Sequence, residues 1–225
     1  MCGRFTLRTP GHRLAGAFGA EAPPDLAPRY NIAPGEDIAV VRRTTAGGRE
    51  FAWLRWGLIP CWARDAAIGS RMINARAETV RDKPAFRAAF GERRCLVAAD
   101  GFYEWQKTGG RTKQPWYIRL ADDAPFAFAG LWERWRAPGG EAVESCALIT
   151  VAANARLGPI HHRMPAILPP GTYGDWLDPA PASLDALAAL LRPLPDDALA
   201  AHPVGRMVND ARNDAPVCIA APDGR

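Results

Sequence analysis

The stretch CLVAADGFYEWQKTGGRTKQPWYIRL (residues 95–120) decides how the chain is built. It holds three short runs of β-prone residues, 95–99, 102–106 and 116–120, parted by Asp100-Gly101 and by a polar loop containing Gly109 and Gly110. Turn signals between such runs predict strands paired antiparallel. Downstream, 126–131 and 147–151 continue the pattern. Upstream, 38–42 and 51–56 flank Ala46-Gly47-Gly48 as a hairpin that Trp56-Gly57-Leu58-Ile59-Pro60 ends.

Helices are fewer. Residues 12–18 read as one, and 84–90 as a second, with Pro84 at a first helical position and Phe86 and Phe90 four apart. A third starts from Ser183 as N-cap, with Asp185 in its first turn and Pro193 as its stop. The Pro-rich stretch 22–34 reads as irregular surface chain. Strands joined by turns rather than by crossover helices define an α+β fold: a single domain over 1–225 on a curved, mainly antiparallel, barrel-like sheet with short flanking helices.

Composition agrees with that reading and narrows the class. Of 225 residues, 48% are hydrophobic and 23% charged, with 21 Gly and 21 Pro serving many turns. There is no repeat, low-complexity tract or linker. A net charge of +4 is compatible with an anionic partner but modest for this length. No run reaches membrane-spanning length, and the start, with Cys2, Arg4, Arg8 and Arg13, lacks the apolar stretch of a signal peptide. Five dispersed cysteines without a CxxC pair predict free thiols in a cytoplasmic protein with neither metal nor organic cofactor.

Cys2 carries the most specific chemistry. Loss of Met1 would leave an α-amine and a thiol on adjacent carbons, a pair that reacts jointly with an aldehyde. The amine, with an ordinary pKa of about 7.7–8.0, forms an imine, and the thiol then closes a five-membered thiazolidine. The second attack is intramolecular, an advantage of about 7–11 kcal/mol when geometry is right. Gly3 leaves room beside the nucleophile, and Arg4 supplies a cation two residues away. By position alone, the stronger reading of Cys2 is simply a small second residue.

The motifs MCGRF (1–5), RYNIAP (29–34), WGLIPCW (56–62), INARAET (73–79), ADGFYEW (99–105), IHHRMP (160–165) and HPVGRMVN (202–209) occur in one order along the chain. That ordered set resembles the SRAP (SOS-response-associated peptidase) family, whose bacterial members are described as abasic-site processing proteins. The resemblance covers most of the chain. It implies an active site of Cys2, Asn74, Glu104 and His161 and a channel for single-stranded DNA. The expected function is an abasic-site sensor that forms a thiazolidine crosslink through Cys2 after Met1 removal, shielding the lesion, with lyase side activity from the shared imine.

Residue chemistry supports these roles. Opening the sugar hemiacetal and dehydrating the carbinolamine both move protons, which suits Glu104, although alternation alone would put Glu104 on a wet face opposite Tyr103 and Trp105. Asn74 offers a donor and an acceptor without titrating, so it suits holding Cys2; otherwise it caps a turn. His161 occupies the position the family reserves for His, and His162 the variable one, with adjacent side chains expected to point apart. Arg4, Arg76 and Arg163 are the candidate phosphate contacts, against ordinary ion pairing with Glu78 or Asp100, and Trp62 is a candidate to stack on a base. Cys61 departs from the Ser or Gly more usual after WGLIP in the family.

Two other readings use the same residues: a Cys2-dependent peptidase that processes its own terminus, and a noncovalent single-stranded DNA module that would tolerate loss of Cys2. The expected partner is single-stranded DNA containing abasic sites, engaged by a monomer that is nucleoid-associated when bound.

Overall fold

A computed structural model describes residues 2–23, 25–181 and 183–222. Met1, whose removal the aminothiol reading requires, lies outside the described residues. Among the described residues thirteen strands form: β1 (Phe5–Leu7), β2 (Arg29–Ile32), β3 (Asp37–Arg43), β4 (Arg49–Trp56), β5 (Asn74–Arg76), β6 (Arg94–Ala99), β7 (Gly101–Lys107), β8 (Lys113–Leu120), β9 (Phe126–Arg136), β10 (Ala142–Ala152), β11 (Arg163–Pro165), β12 (Ile167–Leu168) and β13 (Leu199–Pro203). Four short helices flank them: α1 (Gly11–Phe18), α2 (Arg87–Glu92), α3 (Tyr173–Leu177) and α4 (Leu184–Leu190).

The strands sort into two sheets. In the larger one, β10, β4, β3, β6 and β9 follow one another and β9 pairs back onto β10, so five strands close a ring. Closure removes free edges, leaving β5, β11 and β12 as short additions. Every pairing is antiparallel except β10 with β4 and with β5. The smaller sheet runs β13-β8-β7-β1-β2 and is antiparallel throughout. This is the α+β, mainly antiparallel, barrel-like architecture expected.

The core forms where the two sheets face each other. Phe5 of β1 packs edge-on against Trp56 and Phe128 with ring centroids 5.2 and 5.8 Å apart, and Phe102 of β7 meets Phe128 at 5.9 Å. The other face of the smaller sheet is not wet. Tyr103 and Tyr117 are buried there under Val204, Val208 and Cys218 from the C-terminal segment.

Three local expectations are corrected. First, β6 and β7 do not pair with each other, because the chain leaves the barrel at Asp100-Gly101 and enters the second sheet. Asp100 is buried and accepts from the Thr6 hydroxyl at 2.6 Å, the Arg8 and Thr9 amides at 2.6 and 2.7 Å, and the Thr9 hydroxyl at 2.8 Å. Its carboxylate fastens the N-terminal segment rather than making a hairpin turn. Gly101 is needed for close approach, since a Cβ there would sit 2.2 Å from the Tyr117 hydroxyl.

Second, the stretch 22–34 contains β2. The Tyr30 and Asn31 amides both donate to Asp214, at 2.5 and 2.9 Å, and β1 pairs alongside, so long-range bonds impose the extended form on a proline-rich segment. Third, the second helix starts three residues later than expected, at Arg87. The Lys83 carbonyl accepts from the Phe86 and Arg87 amides, each at 2.9 Å, winding a turn before the helix begins.

Candidate active site

The N-terminal segment extends the β1–β7 ladder toward the site. Phe5 is opposite Phe102, and the Tyr103 amide donates to the Arg4 carbonyl at 3.0 Å, which brings Cys2 toward the Glu104 end of β7. Cys2 is fully buried, its thiol directed at the Arg4 carbonyl 3.7 Å away. Burial first, and the Glu104 carboxylate second, push that thiol far above its ordinary pKa, so it stays protonated.

Asn74 holds the Cys2 carbonyl through its Nδ2 at 2.9 Å. The WGLIP segment builds the seat for Asn74. Gly57, at φ 133°, lets the chain pass so close to Gly69 that a Cβ would lie 2.7 Å from its carbonyl. Leu58 then bonds Met72, and the Trp56 indole and the Leu148 amide both donate to the Ile73 carbonyl at 3.0 Å. Because Nδ2 must face a carbonyl, Oδ1 is left as a buried acceptor with no hydrogen-bond partner among the described residues.

Glu104 shares a strand face with Phe102, which looks into the core, and is only 4% exposed. Alternation therefore held, but the face assumed to be wet is covered. Burial raises the Glu104 pKa, favouring the protonated carboxyl relative to an ordinary strand glutamate.

His161 Nδ1 lies 3.9 Å from Glu104 Oε1. The same nitrogen is 3.0 Å from the Arg163 amide and 3.1 Å from the Arg163 carbonyl, so it accepts when bare and donates when protonated. Burial lowers its pKa, favouring the neutral ring. Two residues along from Glu104, the Gln106 side chain donates to the Pro159 carbonyl at 3.1 Å and fixes the turn that carries His161. Sequence reasoning missed Gln106; its place two residues from Glu104, on the same strand face, was the available signal. The two histidine rings do not point apart. They lie 4.4 Å apart at 31°, because a turn closed by the His161 amide on the Leu157 carbonyl replaces extended chain.

The candidate DNA contacts divide. Arg4 spends its guanidinium on Asn31 Oδ1 at 2.9 Å and on the Val208 and Asn209 carbonyls at 2.7 and 3.3 Å. Arg163 forms a fork with Glu78 at 2.6 and 3.0 Å and reaches the Thr150 carbonyl at 2.6 Å. Arg76 is exposed on β5 two residues from Asn74, and Trp62 is 56% exposed. Cys61 is exposed and free, while Cys95, Cys146 and Cys218 are buried and free.

Among the described residues no group of His, Cys, Asp and Glu side chains could hold a metal ion, and no helix is long and apolar enough to cross a membrane. The chemistry available is thus a thiol, a carboxyl and an imidazole gathered around the second residue of the chain, with an amide fixing its backbone. That set is suited to nucleophilic attack with proton transfer at the N-terminus.

The chain belongs to the SOS response associated peptidase (SRAP) family, whose model matches residues 1–211. It is 41% identical over 218 residues to the abasic site processing protein YoaM of Bacillus subtilis (strain 168), covering 96% of each chain. To YoqW of the same organism, also named an abasic site processing protein, it is 40% identical over 222 residues, covering 97% of this chain and 99% of that one. A crystal structure of a protein from Bacteroides thetaiotaomicron superposes with a TM-score of 0.89 at 27% identity, covering 98% of this chain and 100% of the other.

Proposed function

We propose that this protein processes abasic sites in single-stranded DNA by bonding Cys2, freed of Met1, to the open aldehyde of the sugar. The observation that carries this reading is the convergence of Asn74, Glu104 and His161 on a buried second-position cysteine. The relatives' names point to the same substrate. Burial alone would disfavour such polar groups, so their gathering indicates chemistry rather than packing.

The steps balance without any oxidant or reductant. The Cys2 amine attacks the aldehyde carbon, and a proton passes from nitrogen to the new alkoxide, giving a carbinolamine. Glu104 in its protonated form gives a proton to the departing hydroxyl, and water leaves an iminium that keeps its N–H. The Glu104 carboxylate so formed takes the thiol proton as sulfur adds to the iminium carbon, which restores the carboxyl and leaves a neutral thiazolidine. A thiol with a raised pKa needs such a base. Asn74 Oδ1, the unsatisfied acceptor, is the proposed partner of the amine. His161 exchanges a proton with the sugar ring oxygen as the hemiacetal opens. Elimination from the imine gives the lyase side reaction, which ring closure suppresses.

Arg76 and Trp62 are the DNA contacts this proposal favours, as cation and stacking surface. A phosphate would have to displace Asn31 from Arg4 or Glu78 from Arg163. Self-removal of Met1 would use the same thiol against the peptide bond that precedes it.

The test is incubation of Met1-free protein with a single-stranded oligonucleotide carrying one abasic site, followed by a denaturing gel. A band that survives denaturation with the wild type and vanishes with Cys2→Ala is expected. A complex that both proteins form, and that dissolves on denaturation, would overturn the covalent reading.

A further inference from the structure

Two of the ordered motifs, RYNIAP and HPVGRMVN, contribute no residue to the chemistry above. Both meet at Arg4. Its guanidinium joins Asn31 of the first motif to the Val208 and Asn209 carbonyls of the second. Asn31 is fully buried and repeats the connection, its amide donating to the carbonyls of Val208, Asp210 and Asn213 at 3.2, 3.1 and 2.8 Å. Asp214 closes the loop by accepting from the Tyr30 and Asn31 amides and by pairing with Arg29.

We infer that Arg4 is a positioning residue: with Asn31 and the 208–214 segment it forms a latch that holds the N-terminal segment, and hence Cys2, against Glu104 and Asn74. The main chain of the same residue makes the link. The Arg4 carbonyl accepts from the Tyr103 amide at 3.0 Å, one residue before Glu104, and is also the group the Cys2 thiol faces. The side chain therefore ties down the atom against which the nucleophile is aligned. A strand end is where fraying starts, and β1 has only three residues. Among the described residues, the hydrogen bonds left to the segment before Phe5 without the latch would be the Tyr103 ladder bond and the Asn74 contact.

This inference rests on the proposed function for its kinetic readout, and one further readout is independent of it. Met1-free wild type, Arg4→Ala, Arg4→Lys and Asn31→Ala are compared in three assays. With an abasic oligonucleotide at saturating concentration, the single-turnover crosslinking rate is expected to fall about 10- to 100-fold in Arg4→Ala, the scale of a misplaced reacting group. Asn31→Ala should fall similarly, although it leaves the Arg4 charge intact, and Arg4→Lys should recover little, since an ammonium cannot span all three acceptors.

The salt dependence of half-saturation is expected to stay as in wild type. A slope reduced by about 0.7 in Arg4→Ala, with the saturating rate unchanged, would make Arg4 a phosphate contact and overturn the inference. In the third assay, without DNA, iodoacetamide alkylation of Cys2 is followed by peptide mass. The buried thiol should label faster in Arg4→Ala and Asn31→Ala than in wild type at a temperature where circular dichroism shows all of them folded. Unchanged labelling would overturn the latch whether or not the wild type crosslinks DNA, whereas failure of the wild type to crosslink, with faster labelling in the variants, would sink only the proposed function.

Discussion

Glu104 differs from an ordinary strand glutamate by its burial, and its behaviour with pH follows from that. Its folded-state pKa is raised, so between the ordinary carboxyl range and that raised value the folded protein holds a proton that the unfolded chain has released. The Glu104 contribution to stability therefore falls as pH rises through this window. Replacing it with Gln removes the penalty, so the melting temperature of Glu104→Gln relative to wild type should climb with pH across the window. A difference that stays flat, or declines with pH, would contradict the burial argument. If Glu104 carries the proton as proposed, the same variant should crosslink about 100-fold more slowly or worse. The wild-type rate should be bell-shaped in pH, from deprotonation of the amine and of Glu104. The Gln variant should keep only the rising limb.

Trp62 makes a second residue-scale prediction. With 56% of its surface exposed, it contributes little to the core. Trp62→Ala should leave thermal stability nearly unchanged while weakening DNA binding by about 1–3 kcal/mol, the usual worth of one base–aromatic stack. Fluorescence anisotropy with a labelled oligonucleotide would show it, and unchanged affinity would remove Trp62 from the interface.

At the scale of elements, the turn between β6 and β7 shows what could be read from the sequence. All three runs in 95–120 became strands because β-branched and aromatic residues fit a pleated, covered surface wherever it lies. Their pairing was only half legible. Asp100-Gly101 has the composition of a hairpin turn, yet partners distant in sequence, Thr6, Arg8, Thr9 and Tyr117, claim both residues. Local signals cannot reveal such partners. The same limit hid β2, whose extended form depends on Asp214. The site shows the converse: the motifs pointed to Asn74, Glu104 and His161, but the supporting role of Gln106 and the occupation of Arg4 and Arg163 appear only in three dimensions. The pairing account is tested by Gly101→Ala. Its added methyl meets the Tyr117 ring at close to bonding distance, so an overpacking cost of about 1–3 kcal/mol is expected, seen as a lowered urea midpoint. An unchanged midpoint would mean that the two sheets separate more readily than described.

Across the whole molecule, the barrel and the second sheet divide the labour. The closed ring supplies Asn74 and His161 through β5 and the turn before β11, while the second sheet supplies Glu104 and carries the N-terminal segment. The candidate groups thus meet at the seam between the two sheets, which fits the need of the proposed chemistry for preorganised geometry. Phe128 sits at that seam under Phe5 and Phe102. Phe128→Leu should cost stability and slow crosslinking together, because the seam loses packing that sets the spacing of Glu104 from Asn74. Slower melting-corrected crosslinking is the outcome to look for, and a rate equal to wild type would separate packing from positioning.

Ring closure requires both the amine and the thiol of Cys2 to react, and mass alone does not separate an imine from its thiazolidine isomer. The most direct measurement is therefore intact mass of the adduct between Met1-free Cys61→Ser protein and an abasic oligonucleotide, before and after borohydride and iodoacetamide. Cys2 is as buried as Cys95, Cys146 and Cys218, so the alkylation is carried out after denaturation and Cys2 is read by its own peptide mass, with the exposed Cys61 removed. The account predicts an adduct lighter than the sum of its parts by one water, unchanged by borohydride and unalkylated at Cys2. An adduct that gains two hydrogens on reduction, or that carries an alkylated Cys2, would contradict ring closure, and the absence of any adduct would contradict the account as a whole.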